Sequence, residues 1–241
     1  MCTLVWGSNR TGWWLCFNRD EQRSRARAEP PAIRGIDGMK VLAPLDPDGG
    51  GTWFSVNEHG LVLVLLNRYR DASPASRTGG QRSRGRLVLD LSTARSVREV
   101  EKGLEKTDFT PYAPFHLFML QEAEGTHAKW DLAGGLRISP PETFLTTSSY
   151  RPVEVAAARR NLWTEQAGDG NLRPERAAAI LRTRNPVRPA FGLCMDRDDA
   201  RTVSQLQVRL DQDKARVFYW ERAASTFRPA VETTLPLILS A

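Results

Sequence analysis

Cysteine and histidine are scarce, three of each in 241 residues. Cys2, Cys16 and Cys194 share no metal-ligand spacing, so neither a zinc module nor a disulfide scaffold is expected. Reduced thiols in a cytoplasmic protein are the expectation instead. His59, His116 and His127 fall at no familiar triad spacing, which weakens any Cys-His scheme. No apolar run is long enough to span a bilayer. Arg10 and Arg19 interrupt what would be a secretory apolar core, and only Met1 precedes Cys2, so neither a signal peptide nor a lipoprotein cysteine is expected. Internal repeats and long low-complexity tracts are also missing. Hydrophobic residues at 41% and charged residues at 26% exclude a disordered chain. One domain over residues 1–241 is expected, with a sizeable core.

The net charge is +6, carried mostly by arginine. No nucleic-acid-binding motif accompanies it, so a nucleic-acid partner is not expected. Either a small anionic ligand or plain arginine-rich composition accounts for the charge.

Apolar alternation and turn residues organise the chain. Cys2 to Trp6 and Trp13 to Phe17 read as strands around a turn at Ser8 to Gly12. Arg23 to Pro31 is charged and interrupted by proline, so a loop is expected there. Thr52 to Val56, the tight turn Asn57-Glu58-His59-Gly60, and Leu61 to Asn67 read as strand, turn, strand. The unbroken apolar run Leu61 to Leu66 requires burial on both sheet faces. Residues 68–86, with six arginines and Gly79-Gly80, read as a basic loop. Leu87 to Leu91, then Val97, Val100 and Leu104, have helical spacing. Phe115 to Glu122 and Thr126 to Leu132 suggest a hairpin about Glu124-Gly125. Val153 to Trp163 and Pro174 to Arg182 read as helices, the second with proline in its first turn. Val203 to Leu210 and Ala215 to Trp220 suggest a late hairpin. Strands, then helices, then strands suit an α+β protein.

Cys2 carries the chemistry. Methionine aminopeptidases remove Met1 when the next side chain is small, and Cys is small. The mature chain then begins with a thiol and a free amine on one residue. A thiol titrates near ~8.5 and an α-amine near ~8, so the amine can take the thiol proton almost without free-energy cost. Alone, Cys2 could equally be a small apolar strand residue.

Cys2 does not stand alone. Met-Cys-Thr at the start, Asn18-Arg19-Asp20-Glu21, Gly50-Gly51-Thr52-Trp53, Ser83-Arg84-Gly85, Cys194-Met195 and Thr202-Val203-Ser204 together resemble the NRDE family, also called the transport and Golgi organisation family. That family is similar to N-terminal-nucleophile (Ntn) hydrolases of the choloylglycine hydrolase and penicillin V acylase type. The resemblance implies a four-layer αββα sandwich with two antiparallel sheets. It implies Cys2 as nucleophile, with Asp20, Arg19 and Asn67 as further catalytic residues. Two departures stand out. Arg19 directly precedes Asp20, where the acylases place arginine three residues earlier. Thr147, in Leu145-Thr146-Thr147-Ser148-Ser149, replaces a second catalytic asparagine.

On this reading Cys2 attacks an acyl carbonyl of an amide or thioester. Asp20 holds the ammonium, Arg19 depresses the thiol pKa and holds an anionic group, and Asn67 donates to the oxyanion. Asn18, Thr52, Trp53, Thr147, Ser148, Arg201 and Ser204 are the expected substrate-binding residues. Asn67 could instead be a strand-end turn residue, Gly50 to Trp53 could be purely structural, and Arg201 and Ser204 could belong to a plain strand. No metal or cofactor is expected. The competing classes are a ligand carrier on the same scaffold and a membrane-traffic adaptor. In the carrier, haem could take Cys2, Cys194 or a histidine as iron ligand.

Overall fold

The computed structural model describes residues 1–9, 12–69, 82–122, 124–168 and 172–238. In chain order they form β1 (Cys2–Asn9), β2 (Gly12–Gln22), β3 (Glu29–Ile36), β4 (Met39–Leu45), β5 (Phe54–Asn57), β6 (Val62–Asn67), α1 (Arg84–Leu91), α2 (Val97–Glu105), β7 (Phe115–Gln121), β8 (Glu124–Asp131), β9 (Gly135–Ser139), β10 (Phe144–Thr147), α3 (Pro152–Ala167), α4 (Pro174–Ile180), β11 (Ala200–Leu210), β12 (Lys214–Ala223), β13 (Thr226–Phe227) and β14 (Val231–Pro236).

Two antiparallel sheets result. One runs β10-β1-β2-β11-β12, with β13 and β14 both pairing β12. The other is the meander β3-β4-β5-β6-β7-β8-β9. Side chains alternate across each strand, so each sheet has two faces to cover. Leu4, Leu15, Phe17, Leu206 and Val208 meet Phe54, Val56, Val62, Val64, Leu66 and Phe118 between the sheets. The opposite parity of β6 and β7, namely Leu61, Leu63, Leu65, Leu117 and Met119, packs under α1 and α2 through Leu87, Val88, Val100 and Leu104. On the far side, Val5, Trp14 and Cys16 pack under α4 and the partly buried Leu162 and Trp163 of α3. The layers are therefore helices, sheet, sheet, helices. Leu61 to Leu66 is buried throughout, as its composition requires.

Several segments differ from the sequence expectation. Pro30 and Pro31 lie inside β3 rather than in a loop. The strand is at a sheet edge, and its register shifts between Glu29 and Ala32, which are the two settings that tolerate proline in a sheet. β2 runs on to Gln22 and carries the whole Asn18 to Glu21 motif. β7 and β8 pair Gln121 with Glu124, which puts Glu124-Gly125 inside β8 and shortens the turn. The expected basic loop ends sooner, because Arg84 opens α1. Its residues 70–81 lie outside the described residues.

The Asn57 to Gly60 turn is tied down by one side chain. Asn57 Nδ2 donates to Ser92 O at 2.9 Å and Ala94 O at 2.6 Å, and its Oδ1 accepts from the amides of His59 and Leu61. Gly60 closes the turn at φ 72, where a side chain would be strained. No helix among the described residues is long and apolar enough to cross a membrane.

Candidate active site

A cavity of about 590 Å³ opens beside the start of β1. Met1, Cys2, Arg19, Asp20, Glu21, Asp46, Thr52, Trp53, Asn67, Tyr69, Arg84 and Ser149 are among its lining residues. Five separated segments thus converge on the first residues of the chain.

β1 is the hub. It lies between β2 and β10, with Cys2 opposite Arg19 on one side and Thr147 on the other. Cys2 is only 6% exposed. Burial pushes its thiol pKa above the usual range, against the pull of the Met1 ammonium and Arg19. The backbone N–H of Cys2 donates to Thr147 Oγ1 at 3.2 Å. Met1 is itself buried. Its ammonium donates to Asp20 O and to Tyr69 Oη, both at 3.3 Å, and its carbonyl accepts from Asp20 N at 3.0 Å. Its side chain packs with Met195, Ala200 and Tyr69. Burial works against the ammonium, but Tyr69, Cys2, Glu21 and Asp20 outweigh it and lift its pKa to about 10.

Arg19 is held on three sides. Its guanidinium lies 4.1 Å from the centre of the Trp53 ring and reaches Glu21 at 3.3 Å and Asp46 at 3.2 Å. Arg25 shares the same acids, bonding Asp46 at 2.7 Å and lying 3.8 Å from Glu21. Asn67 Nδ2 donates to Tyr69 Oη at 3.2 Å, so one hydroxyl links that amide to the terminal amine.

Asp20 contributes backbone here, while its carboxylate is committed elsewhere. Oδ2 accepts from Arg159 Nη1 at 3.2 Å and Oδ1 accepts from Thr202 Oγ1 at 2.6 Å. The Asp20 and Arg159 side chains are both 0% exposed. Arg159 also donates to Thr3 Oγ1, Thr146 Oγ1 and Ala190 O, and so joins α3 to β1, β2 and β10.

Not every expected residue reaches the cavity. Asn18 stands on the opposite face of β2, where Nδ2 donates to Leu181 O at 2.7 Å and Leu193 O at 3.0 Å. Arg201, Ser204, Thr147 and Ser148 are not among the cavity-lining residues. Ser148 Oγ donates to Tyr150 O, and Ser204 bonds Tyr219. Arg201 pairs with Glu21 across the β11–β2 ladder. Thr52 lines the cavity, but its hydroxyl is turned back to Phe54 O at 2.8 Å. Tyr69, Asp46, Arg25 and Arg84 complete the wall. Of these only Arg84 had a sequence signal, the Ser83-Arg84-Gly85 motif. That motif and Gly50-Gly51-Thr52 are two halves of one contact, with Thr52 N donating to Gly85 O at 3.1 Å.

The side chains named as possible haem ligands do not gather. Cys2 lines the cavity, but Cys194 and the three histidines do not. His116 Nδ1 and His127 Nε2 lie 2.9 Å apart and satisfy each other. No group of three or more His, Cys, Asp or Glu among the described residues is placed to hold a metal ion.

The αββα architecture is shared with solved amide hydrolases. The Caenorhabditis elegans N-acylethanolamine-hydrolyzing acid amidase ortholog superposes with a TM-score of 0.58 at 11% identity, covering 86% of this chain and 92% of that one. A cysteine-to-alanine variant of conjugated bile acid hydrolase from Clostridium perfringens gives 0.56 at 12% identity, covering 100% of this chain and 97% of that one. An arginine-to-leucine variant of the same hydrolase gives 0.55 at 13% identity, covering 100% and 99%. No curated protein matches the sequence. The profile of the Transport and Golgi organisation 2 family matches residues 1–133, and the chain belongs to that family.

Proposed function

We propose that this chain is an N-terminal cysteine hydrolase that cleaves an amide or thioester of a small acyl substrate once Met1 has been removed. One observation carries the reading. Cys2, the terminal amine, Arg19 and the Asn67 amide all border one cavity, and Cys2 N is already held by Thr147 Oγ1.

Removal of Met1 makes Cys2 N a free amine beside its own thiol. The amine takes the Sγ proton, and the thiolate attacks the carbonyl carbon. Asn67 Nδ2 donates to the resulting oxyanion. The ammonium then protonates the leaving amine or thiol as its bond to carbon breaks, which leaves a thioester on Cys2. Water, deprotonated by the same amine, attacks the thioester and releases the carboxylic acid and the thiol. Arg19 lies across the strand pair from Cys2, clamped by Trp53, Glu21 and Asp46, and favours the thiolate. Asp20 acts as a positioning residue through Arg159 and Thr202.

With Met1 retained there is no free amine on Cys2, the thiol is hard to ionise, and the methionine occupies the cavity wall. The unprocessed chain is therefore expected to be inert. Intact mass measurement establishes Met1 loss, and incubation with a panel of acyl amides and thioesters should add one acyl group to Cys2, released by hydroxylamine. Undiminished turnover by a Cys2→Ala protein would sink the proposal. A haem-induced Soret band without acylation would support the carrier instead.

A further inference from the structure

We propose that the Arg84 guanidinium is an anion-binding subsite of the cavity, and that the substrate carries a carboxylate or phosphate that pairs with it. The substrate class rests on the hydrolase reading, but the binding site does not.

Charge matching around the cavity leaves Arg82 and Arg84 without an ion pair among the described residues, and of the two Arg82 is exposed while Arg84 is partly buried. The sequence directs attention to Arg19, yet Arg19 and Arg25 are already matched by Glu21 and Asp46. Asp20 is matched by Arg159, and Asp199 by Arg197. Arg84 lines the same cavity and makes no ion pair among the described residues. Among the described residues its guanidinium makes one hydrogen bond, from Nη1 to Pro114 O at 2.9 Å. A guanidinium has five N–H donors in a rigid fork, and one carbonyl uses only one of them. A partly buried cation without a counter-charge is unfavourable unless something supplies the charge. Burial accordingly lowers the Arg84 pKa, and the groups that act on it are Tyr69, Glu21, Cys2 and Arg25, all on the cavity wall.

The position is built. Arg84 is the first residue of α1, and its neighbour Gly85 is pressed against the Thr52 backbone. Ser83, just before the helix, lines the cavity and makes no side-chain cap bond. A bidentate anion on Arg84 therefore has a further hydroxyl donor within the same turn.

The test uses full-length Cys2→Ala protein, which binds without turning over and whose alanine is small enough for Met1 removal. Titration calorimetry compares hexanoylglycine with its methyl ester, and hexyl phosphate with hexanol. At low salt the charged member of at least one pair should bind about ten- to a hundredfold more tightly. The carboxylate and phosphate arms tell the two anions apart. Arg84→Met should bring that ratio close to one, and Arg84→Lys should keep part of it, with thermal melts verifying that both variants fold. If neither charged probe is preferred, or if the preference survives Arg84→Met, the subsite does not exist. Turnover of hexanoylglycine by the Cys2 protein is scored separately. Arg84-dependent binding with no turnover of hexanoylglycine or of any member of the acyl amide and thioester panel would sink the hydrolase and keep the subsite, whereas turnover without charge preference would do the reverse.

Discussion

Asp20 and Arg159 form the most deeply buried charge pair around Cys2, and the energetics of such pairs are asymmetric. Removing both charges is often tolerated, but removing one strands the other without water. Arg159→Met should therefore destabilise the protein by about 3–5 kcal/mol in urea unfolding. Asp20→Asn combined with Arg159→Met should recover much of that loss, and strict additivity of the two substitutions would contradict the pairing. Thr147 and Asn67 are read differently. Thr147→Val keeps the shape and removes the hydroxyl that accepts from the Cys2 N–H. If that hydroxyl positions the base, kcat falls with little change in KM. Asn67→Ala should lower kcat by roughly 10²–10³, the usual effect of losing an oxyanion donor. A rise in KM alone for either variant would move the residue from catalysis to substrate binding.

Two backbone segments cross where α1 meets the segment leading into β5, and glycine makes the crossing possible. A Cβ on Gly51 would come within 2.2 Å of the Gly85 carbonyl carbon, and one on Gly85 would meet Thr52 N and O at 3.0 Å. Gly51→Ala should thus be the more damaging change, and Gly85→Ala should cost about 1–3 kcal/mol by overpacking. Urea midpoints with unchanged m-values test both, and equal effects would contradict this geometry. The two motifs are visible in the sequence, but their contact depends on the tertiary fold and could not be read from spacing. Strands with apolar alternation and helices with three-to-four spacing were legible because burial imposes those periods. β3, β4, β9, β10, β13 and β14 were not read as strands: β3 is broken by Pro30-Pro31, the exposed β9 carries little apolar signal, and β10 and β13 are only four and two residues long. The site was half legible for one specific reason. The apolar reading ended β2 at Phe17, whereas continuing its parity from Trp13, Leu15 and Phe17 puts Arg19 on the cavity side. The same parity turns Asn18 and the Asp20 carboxylate to the other face.

Burial of ionisable groups also gives the whole molecule a pH dependence. His116 and His127 face each other from β7 and β8, with the His127 ring stacked 4.4 Å from Phe118 in the core between the sheets. Burial lowers their pKa values from 6.5 to about 3 and about 4. For His116 the neighbours His127, Arg68 and Lys129 act in the same direction; for His127, Glu142 opposes and Lys129 assists. Both rings are therefore neutral in the fold at pH 5, while the unfolded chain has already bound protons. Stability rises with pH wherever the unfolded state binds more protons. The contribution of this pair is thus complete above pH 6.5, drains away as the pH falls from there toward 4 and then 3, and changes no further below. Melting temperatures taken from pH 7.5 to 4 should decline through that window. In a His116→Gln/His127→Gln protein the decline should be shallower, even if that protein is less stable at pH 7.5. Parallel curves for the two proteins would mean that the imidazoles are charged or solvated in the fold, and would overturn this account.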